Sequence, residues 1–187
     1  MNPRTLLDVL HVAERLKDTT RHCYTSGGRH ESVAEHSWRM TLMAYLVAEE
    51  FPEADVLKLL KMCLIHDLGE CFTGDIPAFD KTDAHRKTED ELLGAWVDTL
   101  PEPIRSEWKA LYVEMEARET LEAKLHKALD NLEAVIQHNE SDIATWTDHE
   151  YDLNLRYGYD KCAFSEYMTA LRDEIKADTV KKIEEAK

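Results

Sequence analysis

Apolar residues recur every three or four positions along most of this chain, a period typical of amphipathic helices. Residues 5–17 show the pattern first, and it returns in the segments 33–51, 54–68, 83–100, 104–118, 120–139 and 164–186. The pattern is absent from residues 18–31, 71–82 and 140–163, where the sequence predicts loops. We therefore expect an all-α protein, a bundle of about six to eight helices.

Local signals predict two of the helix ends. Ser32 and Glu35 match a capping box, in which each side chain binds the backbone amide of the other residue, so a helix should begin directly after Ser32. Gly69 suits the position just after a helix C-terminus. That position would place His66 and Asp67 in the last turn of the preceding helix.

The length and composition agree with a helical domain. The 187 residues favour one domain spanning 1–187, with a core in about residues 5–139 and a C-terminal helix at about 164–186 that packs on it. Glycine and proline are scarce, with six and five residues, which favours long helices over a β fold rich in turns.

The net charge of −15 argues against two classes of partner, nucleic-acid polymers and anionic membranes, because both require basic surfaces. No apolar run approaches the roughly 18 residues that span a bilayer, and the first ten residues lack a signal-peptide hydrophobic region. The four cysteines form no CxxC pair, so we expect reduced thiols. These features predict a cytoplasmic protein without a membrane partner.

Three of the apolar helical segments carry metal-ligand residue types on their inward faces. His36 lies in the segment after Ser32, His66 and Asp67 end the next one, and Asp130 lies in the segment 120–139. Burying an unpaired carboxylate is very costly, so Asp130 needs a cationic partner, a cap or a metal. Two histidines and two aspartates together suit a divalent metal, and we predict one such site.

Glu70 adds candidate proton chemistry next to this set. It follows His66 by four residues, just beyond the predicted helix end. A metal lowers the pKa of bound water, and a nearby carboxylate can shuttle a proton to a leaving alkoxide. The sequence therefore predicts hydrolysis by a metal-activated water, with Glu70 assisting the proton transfer.

The order of these residues resembles the H…HD…D metal motif of the HD-domain phosphohydrolases. Within that family, three local segments are similar to the bacterial 5′-deoxynucleotidases and to their eukaryotic HD-domain-containing relatives, namely Glu31–Ser37, His66–Glu70 and Thr73–Pro77. The resemblance extends from about Leu6 to Ile136, most of the chain.

The resemblance implies an HD-domain helical bundle around one divalent metal, which could be Mn²⁺, Co²⁺, Mg²⁺, Fe²⁺ or Zn²⁺. It implies hydrolysis of deoxyribonucleoside 5′-monophosphates to nucleoside and phosphate, commonly in a homodimer. The metal, the base preference and the physiological substrate stay open, since the sequence does not select among them.

Site residues follow from the same resemblance. Arg21 matches an arginine that contacts phosphate, and Asp75 matches an acidic residue near the sugar and phosphate of the substrate. Glu70 would position or protonate groups around the reacting phosphate. The four metal ligands would be His36, His66, Asp67 and Asp130.

His22 departs from the family pattern. The bacterial enzymes carry a tryptophan directly after the phosphate-contacting arginine, where it stacks near the sugar and helps to exclude a 2′-hydroxyl. Here that substrate-binding position holds His22. The choice between deoxyribose and ribose is therefore open.

Three other functions are compatible with the same residues. A dinuclear iron oxygenase of the HD type would need further ligands, for which His85 and His126 are available. A hydrolase of another small phosphorylated metabolite would use the same site. A non-catalytic all-α binding protein would instead pair the inward residues with neighbours such as Arg39 or Lys127.

Overall fold

A computed structural model describes residues 1–77 and 79–186, and helices account for most of them. The α-helices are α1 (Pro3–Ala13), α2 (Val33–Val47), α3 (Val56–Ile65), α4 (Glu70–Thr73), α5 (Asp83–Val97), α6 (Ile104–Ala117), α7 (Leu121–Glu140), α8 (Asp148–Arg156), α9 (Tyr159–Cys162) and α10 (Glu166–Glu185). Short 3-10 helices cover Glu14–Lys17, Ala48–Glu50 and Ile143–Thr145. The predicted all-α class is confirmed. Within the described residues, no helix has the length and apolarity required to cross a membrane.

Helix α7 lies at the centre of the fold and packs against α2, α3, α6 and α10. Its side chains Leu125, Leu129 and Leu132 are fully buried. Around them lie Met40 of α2 and Met168 of α10, in one continuous core. The helices that carry the candidate metal ligands are therefore held together by apolar packing.

A second core lies on the other side of α3. It joins Met62 of α3 to Val33 at the start of α2, and to Val97 and Leu111 of α5 and α6. Because α3 contributes to both cores, its C-terminal end has little freedom to move. His66 and Asp67 follow directly after that end.

The capping box at the start of α2 is confirmed. The Ser32 hydroxyl accepts a hydrogen bond from the amide of Glu35 at 3.3 Å, and the Glu35 carboxylate accepts from the amide of Ser32 at 2.9 Å. Arg29 donates to the same carboxylate at 2.8 Å. These bonds fix the first turn of α2, which carries His36.

The prediction of a loop over residues 18–31 is wrong. Strands β1 (Thr20–Tyr24) and β2 (His30–Ser32) form an antiparallel hairpin, with Gly28 in its turn at a φ of 80°. Only Cys23 of β1 is buried, so the strand lacks the apolar alternation by which strands are detected. The hairpin rests on α7, where the Gln137 amide donates to the carbonyl of Tyr24 at 2.6 Å.

Gly69 does not end the preceding helix as predicted. Helix α3 ends at Ile65, and Gly69 has an ordinary helical φ of −60° just before α4. A Cβ at this position would lie 2.7 Å from Cγ of Glu89, so a larger residue would force the Glu89 side chain of α5 to shift. His66 and Asp67 consequently lie in the turn between α3 and α4.

The segment 140–163 is also more helical than predicted, since it contains α8 and α9. Its sequence signal is a further capping box, with Thr147 as N-cap and Glu150 three residues later. The tertiary structure holds the end of α8 in place through Arg172 of α10. This guanidinium donates to the carbonyls of Asn154 and Tyr157 at 2.7 Å and 2.8 Å.

Candidate metal centre

The four residues predicted to bind a metal meet where α2, α7 and the end of α3 pack together. Nε2 of His36 lies 3.3 Å from Nε2 of His66, 3.7 Å from Oδ2 of Asp67 and 3.3 Å from Oδ1 of Asp130. Nε2 of His66 lies 3.0 Å from Asp67 and 3.9 Å from Asp130. Two ligands bound to one cation at about 2.1 Å lie about 3–4 Å from each other. These spacings therefore fit a shared ion.

The hydrogen-bond partners of the two imidazoles indicate which ring nitrogens face the cluster as acceptors. Nδ1 of His36 faces the Glu133 carboxylate, and Nδ1 of His66 faces the carbonyl of Cys63 at 2.9 Å. Both partners only accept hydrogen bonds, so each Nδ1 carries the proton in the neutral ring. The two Nε2 lone pairs then point at each other and at two carboxylates, an arrangement that a cation stabilises.

The pKa values of His36 and Asp130 also indicate that the cluster favours a positive charge. Burial and the charge of Arg21 act to lower the pKa of His36, but Glu133 and Asp130 outweigh them and raise it to about 9. Burial raises the pKa of Asp130, yet Lys127 and His36 hold it well below its ordinary value. The site therefore attracts either a proton or a metal ion, which compete for the same groups.

Glu133 is a buried partner of the cluster that the sequence interpretation missed. It is fully buried on α7, one turn after Asp130, and binds both His36 and Arg39. A carboxylate on the outer nitrogen of a metal-binding histidine fixes its tautomer and raises its basicity. The available signal was a second acidic residue, Glu133, on the apolar face that carries Asp130.

Two cationic side chains, Lys127 and Arg21, lie next to the carboxylates of the cluster. Lys127 donates to Oδ2 of Asp130 at 2.7 Å, which leaves Oδ1 directed at the histidines. Arg21 of β1 lies with Nε 3.3 Å from Glu31, and its guanidinium comes within 4.0 Å of Asp67. The non-catalytic interpretation requires Lys127 to pair with Asp130, and it does so through Oδ2. Oδ1 of Asp130 still lies beside the ring nitrogens of the two histidines.

A cavity of about 300 Å³ opens directly onto the cluster. Its wall includes Asp67 and Asp130 and four basic residues, although acidic residues outnumber basic ones in the whole chain by 38 to 23. The basic residues are Arg21, Lys81, Arg86 and Lys127. An anionic group next to a metal would find its counter-charges here.

Glu70 begins α4 and lies in the wall of this cavity. Its side chain is buried, and Lys81 is 3.9 Å from one carboxylate oxygen, while the other oxygen has no hydrogen-bond partner among the described residues. Burial, followed by the charges of Asp67 and Asp75, raises the pKa of Glu70 to about 10. Glu70 thus lies where its carboxyl group can contact a molecule in the cavity.

Asp75 and His22 also line the cavity. Gly74, with a φ of 77°, turns the chain after α4 so that Asp75 follows in the wall. The His22 ring contacts that of Phe79 edge-on, with centroids 5.4 Å apart, and its Nε2 is 3.2 Å from Glu150. All eight residues proposed from the sequence thus belong to one continuous site.

The further ligands that an iron oxygenase would require do not join the cluster. His85 is exposed and caps α5 through the amide of Thr82. His126 packs its ring edge-on against His66 at 5.2 Å, and neither of its nitrogens has a hydrogen-bond partner in residues 1–77 and 79–186. Burial, followed by the charge of His66, lowers the pKa of His126 to about 3.

Similarity to known proteins covers most of this chain. A profile of the HD domain matches residues 13–172. The 5′-deoxynucleotidase HDDC2 of Homo sapiens is 34% identical over 142 residues, which cover 73% of this chain and 68% of the relative. The 5′-deoxynucleotidase hdd1 of Schizosaccharomyces pombe is 28% identical over 141 residues, with shares of 71% and 70%.

The fold gives a matching result. A crystal structure of a predicted metal-dependent phosphohydrolase from Magnetospirillum magnetotacticum MS-1 superposes with a TM-score of 0.79 at 28% identity, over 96% of this chain and 93% of that one. The region matched by the HD domain profile contains every residue of the cluster and of the cavity wall described above.

Proposed function

This chain belongs to the HD domain family of metal-dependent phosphohydrolases, and we propose that it hydrolyses nucleoside 5′-monophosphates to nucleosides and phosphate. The observation that carries the proposal is the convergence of two imidazoles and two carboxylates at a cavity lined by four basic residues. Relatives that are named 5′-deoxynucleotidases support the substrate class.

We propose that one divalent cation is held by His36, His66, Asp67 and Asp130. Such a cation supplies Lewis-acid chemistry, lowering the pKa of water and neutralising phosphate charge. Arg21 and Lys81, in the wall beside the cluster, would bind the non-bridging phosphate oxygens.

Glu70 would handle the proton transfers. The oxygen of a water molecule forms a bond to phosphorus as the bond from phosphorus to the 5′ oxygen breaks. Glu70 gives its proton to the leaving 5′ oxygen and then regains one from the attacking water, so that the enzyme ends unchanged.

His22 and Asp75 would contact the nucleoside. Both line the cavity, and the His22 ring packs against Phe79. The bacterial enzymes carry a larger indole at this position. An imidazole is smaller and can hydrogen-bond a hydroxyl. We therefore expect this chain to discriminate less strongly against ribose than a tryptophan-bearing relative does.

A paired nucleotide panel tests the proposed function. Metal-replete protein should release phosphate from deoxyribonucleoside 5′-monophosphates, and ribonucleoside substrates should follow within about 10²-fold in kcat/KM. The measurement is phosphate release from matched deoxy and ribo pairs with Mn²⁺, Co²⁺ or Mg²⁺ added. Sugar phosphates in the same panel test the alternative of another phosphorylated metabolite. No turnover of any nucleoside monophosphate would refute the assignment.

We also propose that the chain forms a single domain and a homodimer. The C-terminal α10 contributes to the same core as α7, which supports one domain. One face of α2 leaves large apolar side chains exposed by 42–65%, and such patches mark interaction surfaces. The side chains of this face are Trp38, Leu42, Tyr45 and Leu46. A cytoplasmic location is supported by the four free, buried cysteines.

Sedimentation velocity at micromolar concentration should return the mass of two chains. Trp38→Glu should shift the protein to one chain, because a charge in an apolar interface is costly to desolvate. Val113→Glu is the control, since Val113 is 71% exposed on α6, outside the α2 face. A wild-type protein that sediments as one chain would contradict the proposed dimer.

A further inference from the structure

A second group of metal-ligand side chains lies outside the cluster. It consists of His22 of β1, His138 of α7 and Glu150 of α8. Oε1 of Glu150 lies 2.9 Å from Nε2 of His138 and 3.2 Å from Nε2 of His22. The two histidines line the cavity that opens onto the metal centre, and Glu150 is buried behind them.

The surroundings of His138 determine which nitrogen points at the carboxylate. Nδ1 of His138 lies 2.8 Å from the carbonyl of Ala134, which accepts a hydrogen bond and so requires the ring proton. In the neutral ring Nε2 is then a lone pair, facing a carboxylate oxygen at 2.9 Å. Two electron-rich atoms at this distance repel unless a cation lies between them.

Glu150 is itself held in a fixed position. Its second oxygen, Oε2, accepts from the amide of Thr147 at 2.6 Å in the capping box of α8. Oε1 is therefore the only oxygen directed at the two histidines. Trp146 holds the backbone of His138 in place, since its indole nitrogen donates to the carbonyl of His138 at 3.0 Å.

We propose that His22, His138 and Glu150 bind a divalent transition-metal ion of the Zn²⁺ type, separate from the ion of the HD cluster. Two imidazoles and one carboxylate form a ligand set used by zinc sites that keep a further position open. The three ligands come from three elements that converge here, β1, α7 and α8. The cavity lies on the open side of the group, where a bound molecule could supply the next ligand.

The helix geometry separates this group from the HD cluster. His138 follows Asp130 by two turns of α7, so the two positions are about 12 Å apart along the helix axis. Two metals that share one hydrolytic reaction lie only about 3.5–4 Å apart. The second ion would therefore act in binding or in ordering α8 against β1, and its presence does not depend on the proposed nucleotidase activity.

Metal titration of the full-length protein tests this proposal. Protein stripped with a chelator is titrated with Zn²⁺ in a calorimeter, and wild type should bind about two equivalents per chain. Glu150→Gln and His22→Gln should each bind about one, and Asp67→Ala should retain the second site and lose the first. His149→Gln is the matched control, because His149 is the exposed neighbour of Glu150.

Tryptophan fluorescence gives an independent measurement. The Trp146 ring lies 6.1 Å from that of His138, so Co²⁺ bound at the second site should quench Trp146. The quenching should persist in Asp67→Ala and be absent from Trp146→Phe and from His22→Gln.

Each result shows whether His22, His138 and Glu150 bind a metal ion. A single equivalent in wild type that Asp67→Ala abolishes would overturn the proposal, and would mean that a proton on His138 balances Glu150. Two equivalents that persist in Glu150→Gln and His22→Gln would also overturn it. A single equivalent in wild type that persists in Asp67→Ala would count against the metal site of the HD cluster and would leave this proposal standing. If Glu150→Gln fails to fold, as judged by circular dichroism, His22→Gln on the hairpin carries the test.

Discussion

Replacing Asp67 by alanine should remove the metal of the HD cluster and lower phosphate release by at least about 10³-fold. Asp67 places Oδ2 3.0 Å from Nε2 of His66 and 3.7 Å from Nε2 of His36, so it belongs to the cluster itself. Without it, two ring nitrogens and Asp130 remain, and Arg21 loses the carboxylate that it approaches at 4.0 Å. The reaction then lacks both its Lewis acid and part of its phosphate-binding geometry.

Elemental analysis and kcat for a nucleoside monophosphate measure the two effects together. Asp90→Ala is the control for Asp67→Ala, because it makes the same change at an exposed position of α5. Activity and metal content that both survive in Asp67→Ala would refute the ligand assignment. Lost activity with full metal content would make Asp67 a substrate-binding residue instead.

Replacing Glu70 by glutamine should lower kcat by about 10²–10⁴-fold while the metal content stays unchanged. Glutamine keeps the size of the side chain but neither gives nor takes a proton. Glu70 lies in the cavity wall beside the cluster, and burial, followed by Asp67 and Asp75, raises its pKa to about 10. The loss should therefore appear in kcat with little change in KM, because the proton transfer belongs to the transition state.

The control for Glu70 is Glu116→Gln on α6, where the side chain is 86% exposed. Substrates with better leaving groups give a sharper test, since they need less help from a proton donor. Their rates should fall much less in Glu70→Gln than the rate for a nucleoside monophosphate. Equal losses for good and poor leaving groups would argue that Glu70 positions the phosphate and donates no proton.

The sequence specified most of the long helices, because helical periodicity and caps are local signals. The capping box of Ser32 and Glu35 was predicted to the residue, and α7 differs from its predicted range by a residue at each end. The hairpin and α8 were not predicted from the sequence. They are held by packing on α7 and α10, and their own residues show little apolar pattern. The packing of Gly69 was also not predicted, because it depends on Glu89 of a different helix.

The sequence alone also proposed His36, His66, Asp67 and Asp130 as one set, because polar ligand types on apolar faces require a partner when buried. Their assignment as metal ligands remains a prediction. Only the tertiary structure placed each of the two ring nitrogens within 3.0–3.9 Å of both carboxylates and of the other ring nitrogen.

The partners of these groups were decided by the tertiary structure. Glu133 binds the outer nitrogen of His36 across 97 positions of sequence, and Glu150 meets His22 between β1 and α8. Residue identity and spacing along the chain determine which helices form and which faces they bury. Contacts between charged groups far apart in sequence arise only when those helices pack, so the partners of the candidate metal ligands were fixed by packing and not by any local pattern.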